Sequence, residues 1–258
     1  MRRFIVVGTV LAALAASVPA GAAAAEKPVK VRAGNLELTF NGGFKPKRLS
    51  KARFDPIALS ISGRIRTLDG AHPPALREFT LFTDRNGTID VRGYPTCRSG
   101  QLQARDTSSA LRVCGRALIG RGKTHVQVQF AEQAPIPVRS DLLVLNGGTR
   151  GGTTTLFIHA YITVPTPAAI VTRVKIKKVR KGRYGIRSIA TIPRIAGGAG
   201  SVTFFSLTVN KKFRRGGKRV SVLSARCRDR KLQAFGTARF EDGTRASAGV
   251  VRTCAQKR

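Results

Sequence analysis

Two similar octets, each beginning with a cysteine, place the strongest constraint on how this chain can fold. CRSGQLQA begins at Cys97 and CRDRKLQA begins at Cys227, and the two other cysteines are Cys114 and Cys254. An even number of cysteines at related positions is typical of a disulfide framework in an exported protein. We therefore predict that all four cysteines form disulfide bonds.

The spacing of the cysteines argues against a zinc site, because no two have the CxxC spacing and no histidine lies near them. Four cysteines allow three pairings. Since Cys97 and Cys227 hold equivalent positions, we expect Cys97 to pair with Cys114 and Cys227 with Cys254. The pairing of Cys97 with Cys227 and of Cys114 with Cys254 also respects the repeat and stays open as the second alternative.

The similarity between the two halves extends to both sides of the octets. The matching segments are 56–65 with 184–195, 79–97 with 205–227, and 115–130 with 236–251. Apolar and polar side chains alternate in them with the period of a β-strand. The middle pair reads as a β-hairpin leading into each octet, so we predict an internal repeat of one β unit.

This repeat predicts an all-β fold of two duplicated antiparallel β-sandwich-like modules. The first module is predicted at residues 26–130 and the second at 171–258. A connector at 131–170 holds a β-hairpin around the glycine-rich segment NGGTRGGTTT, which begins at Asn146.

Local signals also define one helix and two turns. One short helix is predicted near 106–114, because Asp106 suits an N-cap and Gly115 suits a C-terminal stop. DRNGTID at 84–90 lacks the closing glutamate of a calcium loop, so a turn is the better interpretation. NGGTRGGTTT lacks the Gly-Lys-Ser/Thr ending of a phosphate-binding loop and reads as a hairpin.

The N-terminal residues 1–25 have the pattern of a secretory signal peptide. Arg2 and Arg3 precede an apolar run at 4–18, and small residues follow. The alternative, a membrane anchor, needs about 20 apolar residues. No later run is long enough to span a membrane, so we expect cleavage and a protein that is secreted or held at the extracytoplasmic cell surface.

The segments NGGTRGGTTTLFIHAYITVPTPAAIVT and IPRIAGGAGSVTFFSLTVN resemble an uncharacterised family of exported proteins from high-GC Gram-positive bacteria. The resemblance covers most of the chain after the signal peptide. It implies a secreted, β-rich protein and no particular activity.

The formal net charge of +34 predicts attraction to polyanions. Candidate partners are anionic wall polymers rich in phosphate, anionic lipid headgroups and other polyanions, whereas no sequence-specific binding of nucleic acid is expected. The alternative is that the charge reflects only composition, since arginine outnumbers lysine and alanine and glycine are abundant.

Two basic clusters are the best candidates for polyanion binding. In TRVKIKKVRKGR, strand alternation places three cations on one face, and NKKFRRGGKR is a loop tip. The candidate residues are Arg173, Lys175 and Lys177 in the first cluster and Lys211, Lys212, Arg214, Arg215, Lys218 and Arg219 in the second. The alternative is a solvated, charged edge that discourages strand pairing, and apart from Phe213 no aromatic residues are interleaved with the charges.

A possible stacking row lies in LFIHAYI, where alternation places Phe157, His159 and Tyr161 on one face. Such a row can stack on a sugar or a base. The favoured alternative is a strand buried on both faces with a hydrogen-bonded histidine.

The residues do not point to a catalytic site, a metal or a cofactor. Few of the 13 carboxylates remain for acid–base work once the predicted turns are set aside. We therefore predict a non-catalytic, disulfide-stabilised secreted protein that contacts anionic envelope polymers. The alternatives are an extracellular polymer-acting enzyme that uses His159 and a purely structural or partner-binding module.

Overall fold

The structure of the chain, a computed structural model, describes residues 26–257, so the predicted signal peptide at 1–25 lies outside the described residues. The described part contains one α-helix, α1 (Thr107–Cys114), and short 3₁₀ turns at Ser99–Gln101, Gly115–Ala117 and Ala196–Gly198. In chain order the strands are β1 (Val29–Ala33), β2 (Leu36–Lys45), β3 (Arg48–Leu49), β4 (Asp55–Pro56), β5 (Ala58–Thr67), β6 (Leu76–Asp84), β7 (Gly87–Ile89), β8 (Leu118–Val128), β9 (Ile136–Arg150), β10 (Thr153–Ile162), β11 (Ala168–Lys181), β12 (Tyr184–Thr191), β13 (Gly200–Val209), β14 (Lys212–Arg215), β15 (Lys218–Ser221), β16 (Leu223–Ala225), β17 (Lys231–Phe240), β18 (Arg245–Thr253) and β19 (Ala255–Gln256). The all-β prediction and the predicted helix are confirmed.

Twelve of the strands form one antiparallel sheet in the order β1-β2-β5-β13-β8-β9-β10-β11-β12-β6-β17-β18. The predicted modules at 26–130 and 171–258 are therefore not two segregated sandwiches. β13, from the second segment, lies between β5 and β8 of the first, and β6, from the first, lies between β12 and β17 of the second. Alternation along a strand specifies its two faces and not its neighbours, which is why the sequence did not show this interleaving.

The sheet consists of two six-strand runs with matching order. The first run is β1-β2-β5-β13-β8-β9, and the second is β10-β11-β12-β6-β17-β18. In chain order, β1, β2, β5, β6, β8 and β9 correspond to β10, β11, β12, β13, β17 and β18. The two runs then have the same order, except that β6 and β13 have changed places. Leu81 on β6 lies opposite Ser188 on β12, and its counterpart Leu207 on β13 lies opposite Ile61 on β5, so the matched strands pair with each other in both runs. A repeated unit with one exchanged strand would produce this order, and the repeat itself stays a prediction from sequence.

The sheet curls until its two edge strands approach each other. β1 and β18 are in contact, but they form no backbone ladder. Side chains bridge the gap instead: the guanidinium of Arg252 on β18 donates to Asn41 Oδ1 on β2 at 2.9 Å. The nearly closed sheet encloses a space, which we call the lumen.

The lumen is apolar and is divided by two phenylalanines. Phe79 on β6 and Phe205 on β13 meet edge to face, with ring centroids 6.1 Å apart. Gly63 makes room for this contact, since a Cβ there would lie 2.4 Å from the Phe205 ring. Because β6 and β13 lie far apart in the sheet order, their contact flattens the sheet and separates two lobes of the lumen.

The segment 97–117, which begins with the first octet, packs on the outer face of the sheet, and we call it the cover. The disulfide between Cys97 and Cys114 holds α1, and buried residues of this segment pack on the outward side chains of β9 and β10. Asp106 accepts a hydrogen bond from the Ser109 amide at 2.6 Å and caps α1 as predicted.

The second octet lies where β17 begins. Cys227 is bonded to Cys254, just beyond β18, so both preferred cysteine pairings are confirmed. The backbones after the two cysteines differ, because the first octet continues as a 3₁₀ turn and the second enters β17 at Lys231.

The loops at this end of the sheet depart from the predicted hairpins. β7 does not pair with β6; it joins β4 and β16 in a small three-stranded sheet. β14 and β15 form a separate hairpin. The glycine-rich connector is a tight hairpin as predicted, with Gly151 and Gly152 both at positive φ between β9 and β10. Among residues 26–257, no helix has the length and apolar character that spanning a membrane requires.

Candidate functional site

The outer face of β11 carries the first predicted basic cluster. Arg173, Lys175 and Lys177 are exposed, and the residues between them are buried against the lumen. Lys177 lies opposite Arg187 on β12, which adds a fourth cation that the sequence analysis did not select. We call Arg173, Lys175, Lys177 and Arg187 the basic wall.

Aromatic side chains from other strands adjoin the basic wall. Phe82 on β6 lies opposite Arg187, and its ring centroid is 5.9 Å from that of Tyr184. The Arg187 guanidinium and the Lys181 ammonium lie 5.8 and 5.0 Å from the Phe82 ring centroid. No aromatic residue is interleaved with the β11 cations in sequence, but strand pairing brings Phe82 beside Arg187, about 100 positions away in the chain.

None of the ion pairs in residues 26–257 involves the four cations of the basic wall. Two carboxylates beside the β11–β12 turn are bound by Arg183. Arg183 donates to buried Asp84 at 2.7 Å and also binds Asp229, and this contact lowers the pKa of Asp229. The basic wall is therefore left as an unneutralised row of charge.

The second predicted cluster lies on the β14–β15 hairpin and is built differently. Arg215 is bound to Asp90 at 3.0 Å, and bonds from Arg92 and Arg215 lower the pKa of Asp90 despite partial burial. Phe213 packs on Tyr94 with ring centroids 4.9 Å apart. The five other predicted cations, Lys211, Lys212, Arg214, Lys218 and Arg219, are exposed.

A further group of positive charges lies on the outer face of the sheet where β5, β8 and β13 are neighbours. The His125 ring lies 5.0 Å from the Phe204 ring, and the Arg64 guanidinium lies 5.6 Å from the same ring. Partial burial and the charges of Arg139, Arg64 and Lys123 lower the pKa of His125. The imidazole at this surface is therefore neutral near pH 7.

The predicted row of Phe157, His159 and Tyr161 shares the outer face of β10, but the cover over that face occupies most of it. Phe157 and His159 are buried, and Tyr161 is half-buried. The Nε2 atom of His159 lies 2.9 Å from the Arg105 carbonyl oxygen, and burial lowers the pKa of this histidine. Phe157 and His159 are therefore packed in the interior, as the alternative interpretation of this strand expected. Neither side chain is exposed for stacking or for contact with a polymer.

The lumen contains the second candidate site, an apolar cavity on each side of the Phe79–Phe205 contact. The larger cavity has a volume of about 250 Å³ and is lined mainly by inward residues of β8 to β13 and β6. The smaller has a volume of about 150 Å³ and lies against β2, β5, β17 and β18. Neither was visible in the sequence, because a cavity depends on how strands close.

Residues 26–257 contain no group of three histidine, cysteine or carboxylate side chains placed to hold a metal ion. No family model, no curated protein and no solved structure matches this chain. The resemblance to exported proteins of high-GC bacteria thus stays an expectation.

Proposed function

We propose that this chain is a non-catalytic, extracytoplasmic β protein that binds phosphate-rich anionic envelope polymers on its basic wall. Two disulfides and the all-β fold fit a protein built for an oxidising environment. The observation that carries the proposal is the row of exposed cations along β11 without carboxylate partners among the described residues.

The geometry of the row suits a polymer better than a single small anion. Alternate residues on a strand are about 6.6 Å apart and point the same way, so β11 presents charge at regular intervals. A chain with repeated anionic groups can contact several cations at once and release their counterions.

The basic wall is the stronger of the two predicted clusters. Its side chains project from a central strand whose backbone is held on both sides, so little backbone conformational entropy is lost on binding. Aromatic rings beside it can pack on the sugar or polyol parts of a polymer. On the hairpin, Phe213 faces Tyr94, and Arg215 is already bound by Asp90.

The test compares two variants with the same loss of charge. Arg173→Gln, Lys175→Gln and Lys177→Gln neutralise β11, and Lys212→Gln, Arg214→Gln and Lys218→Gln neutralise the hairpin. We expect the β11 variant to bind long-chain polyphosphate at least about tenfold more weakly, with the slope of log K against log salt reduced by about 2. Fluorescence titration at several salt concentrations measures both quantities, with uncharged dextran as the ligand control.

The hairpin variant is expected to lose less than about threefold in affinity. Equal losses in both variants would show that net charge alone attracts the polymer and would contradict a site on the basic wall. Binding by the unmodified chain that does not change with salt would contradict the polyanion proposal altogether.

A further inference from the structure

The lumen is wider than its own side chains can fill. Eight strands already give an interior that side chains just fill, and the diameter grows with the number of strands. This sheet has twelve, and several inward positions hold small residues, including Ser188 and Ala190 on β12. Free volume follows from the strand count together with the small side chains.

The larger cavity extends along the strands, and its lining is uncharged. Its lining on β11 runs from Ile170 to Ile176, which corresponds to about 20 Å along an extended strand. Among residues 26–257, no charged side chain lines it, and its polar groups are the hydroxyls of Thr83, Thr124, Thr172 and Ser188. A cavity of about 250 Å³ lined over this length can accommodate an extended chain.

Inward apolar side chains remain incompletely covered around this cavity. Ile158, Ile186, Leu207 and Ala190 point into the lumen and are only half-buried. An apolar cavity of this kind holds no stable water and takes up apolar molecules, because burial of the remaining surface is favourable.

The smaller cavity is less suited to such a ligand. Asp84 and Arg252 contribute to its lining, and both are fixed by bonds to protein groups, Asp84 to Arg183 and Arg252 to Asn41. The contact between Phe79 and Phe205 separates it from the larger cavity. This difference between the two cavities favours a single hydrocarbon chain bound in the larger one.

We infer that the larger cavity binds an unbranched, uncharged hydrocarbon chain, such as the alkyl part of a lipid. This site is independent of the basic wall, since it lies on the opposite face of β11. Its binding is apolar and has little dependence on salt, whereas binding at the basic wall falls steeply as salt rises.

The test measures binding of 1-dodecanol, an uncharged unbranched chain, to the full chain by isothermal titration calorimetry. We expect saturable binding that changes less than about twofold between about 50 and about 500 mM NaCl. Ala190→Leu places bulk in the cavity and is expected to weaken binding of 1-dodecanol at least about tenfold. The matched control is Thr191→Leu, the adjacent exposed residue on the outer face of β12, which should leave binding unchanged.

Ser188→Leu is a second cavity-filling variant, because it replaces an inward hydroxyl in the same cavity and keeps the test valid if Ala190→Leu fails to fold. Thermal unfolding confirms that each variant is folded before it is titrated. No binding of 1-dodecanol, equal binding by the filled variants, or binding abolished by salt would each overturn the inference. Failure of polyphosphate binding would leave it standing, so the two proposals fail separately.

Discussion

Replacing Arg183 with alanine is expected to lower the free energy of unfolding by about 3 kcal/mol, because it leaves a buried carboxylate without its counterion. The Asp84 side chain is 4 % exposed, and Arg183 donates to it at 2.7 Å. Two backbone amides, those of Asn86 and Gln233, also donate to this carboxylate. They remain in the variant and orient the carboxylate, but they do not neutralise it.

The size of this effect is measured by chemical denaturation near pH 7. The control is Arg180→Ala, an exposed arginine on β11, for which a change within about 0.5 kcal/mol is expected. Adding Asp84→Asn to Arg183→Ala removes the buried charge and should restore at least about 1 kcal/mol. A loss below about 1 kcal/mol for Arg183→Ala would show that Asp84 is adequately solvated without its partner.

Removal of the second disulfide by Cys227→Ala and Cys254→Ala is expected to lower the free energy of unfolding by about 3 kcal/mol, since the unfolded chain regains the freedom of the closed loop. The bonded cysteines are 27 residues apart and pack with Phe44, Leu49 and Ile57. They tie the end of β18, an edge strand, to the segment before β17. We therefore expect amide protection in β18 to fall as well.

Denaturation and amide hydrogen exchange measure these two effects. The corresponding removal of Cys97 and Cys114 serves as the comparison, because that bond holds a cover on the outside of the sheet. It should raise exchange in residues 98–117 and leave β18 protected. A second-disulfide variant with unchanged stability, or with the same exchange pattern as the first, would contradict the assigned roles.

Sequence reasoning succeeded where the determining interactions are local. The N-cap at Asp106 depends on a hydrogen bond from the amide of Ser109, only three positions later in the chain. The alternation of exposed and buried residues in β11 depends only on the two-residue period of a strand. The cysteine pairing followed from the two octets, although the backbones after Cys97 and Cys227 differ.

The arrangement of the strands depends on contacts far apart in the chain and was not predicted. Sequence similarity aligns Gly115 with Gly236. In the structure, Leu207 pairs with Gly122, and its counterpart Leu81 pairs with Gly236. The residue that corresponds to Gly236 is therefore Gly122. Nothing in the local pattern says which strand pairs with which, so neither the lumen nor the aromatic residues beside the basic wall could be placed.

The interleaved sheet is the claim on which both proposed sites depend, and one engineered disulfide tests it most directly. Ser60 on β5 and Thr208 on β13 face each other outside the lumen, with their hydroxyl oxygens 3.0 Å apart. Ser60→Cys with Thr208→Cys is expected to form a disulfide under mild oxidation that peptide mass mapping detects beside the two native ones. The control pair, Ser60→Cys with Phe82→Cys, would be adjacent only if β5 and β6 formed a simple hairpin. Cross-linking of the Ser60–Thr208 pair alone is the predicted result, and cross-linking of the Ser60–Phe82 pair instead would contradict the interleaved sheet.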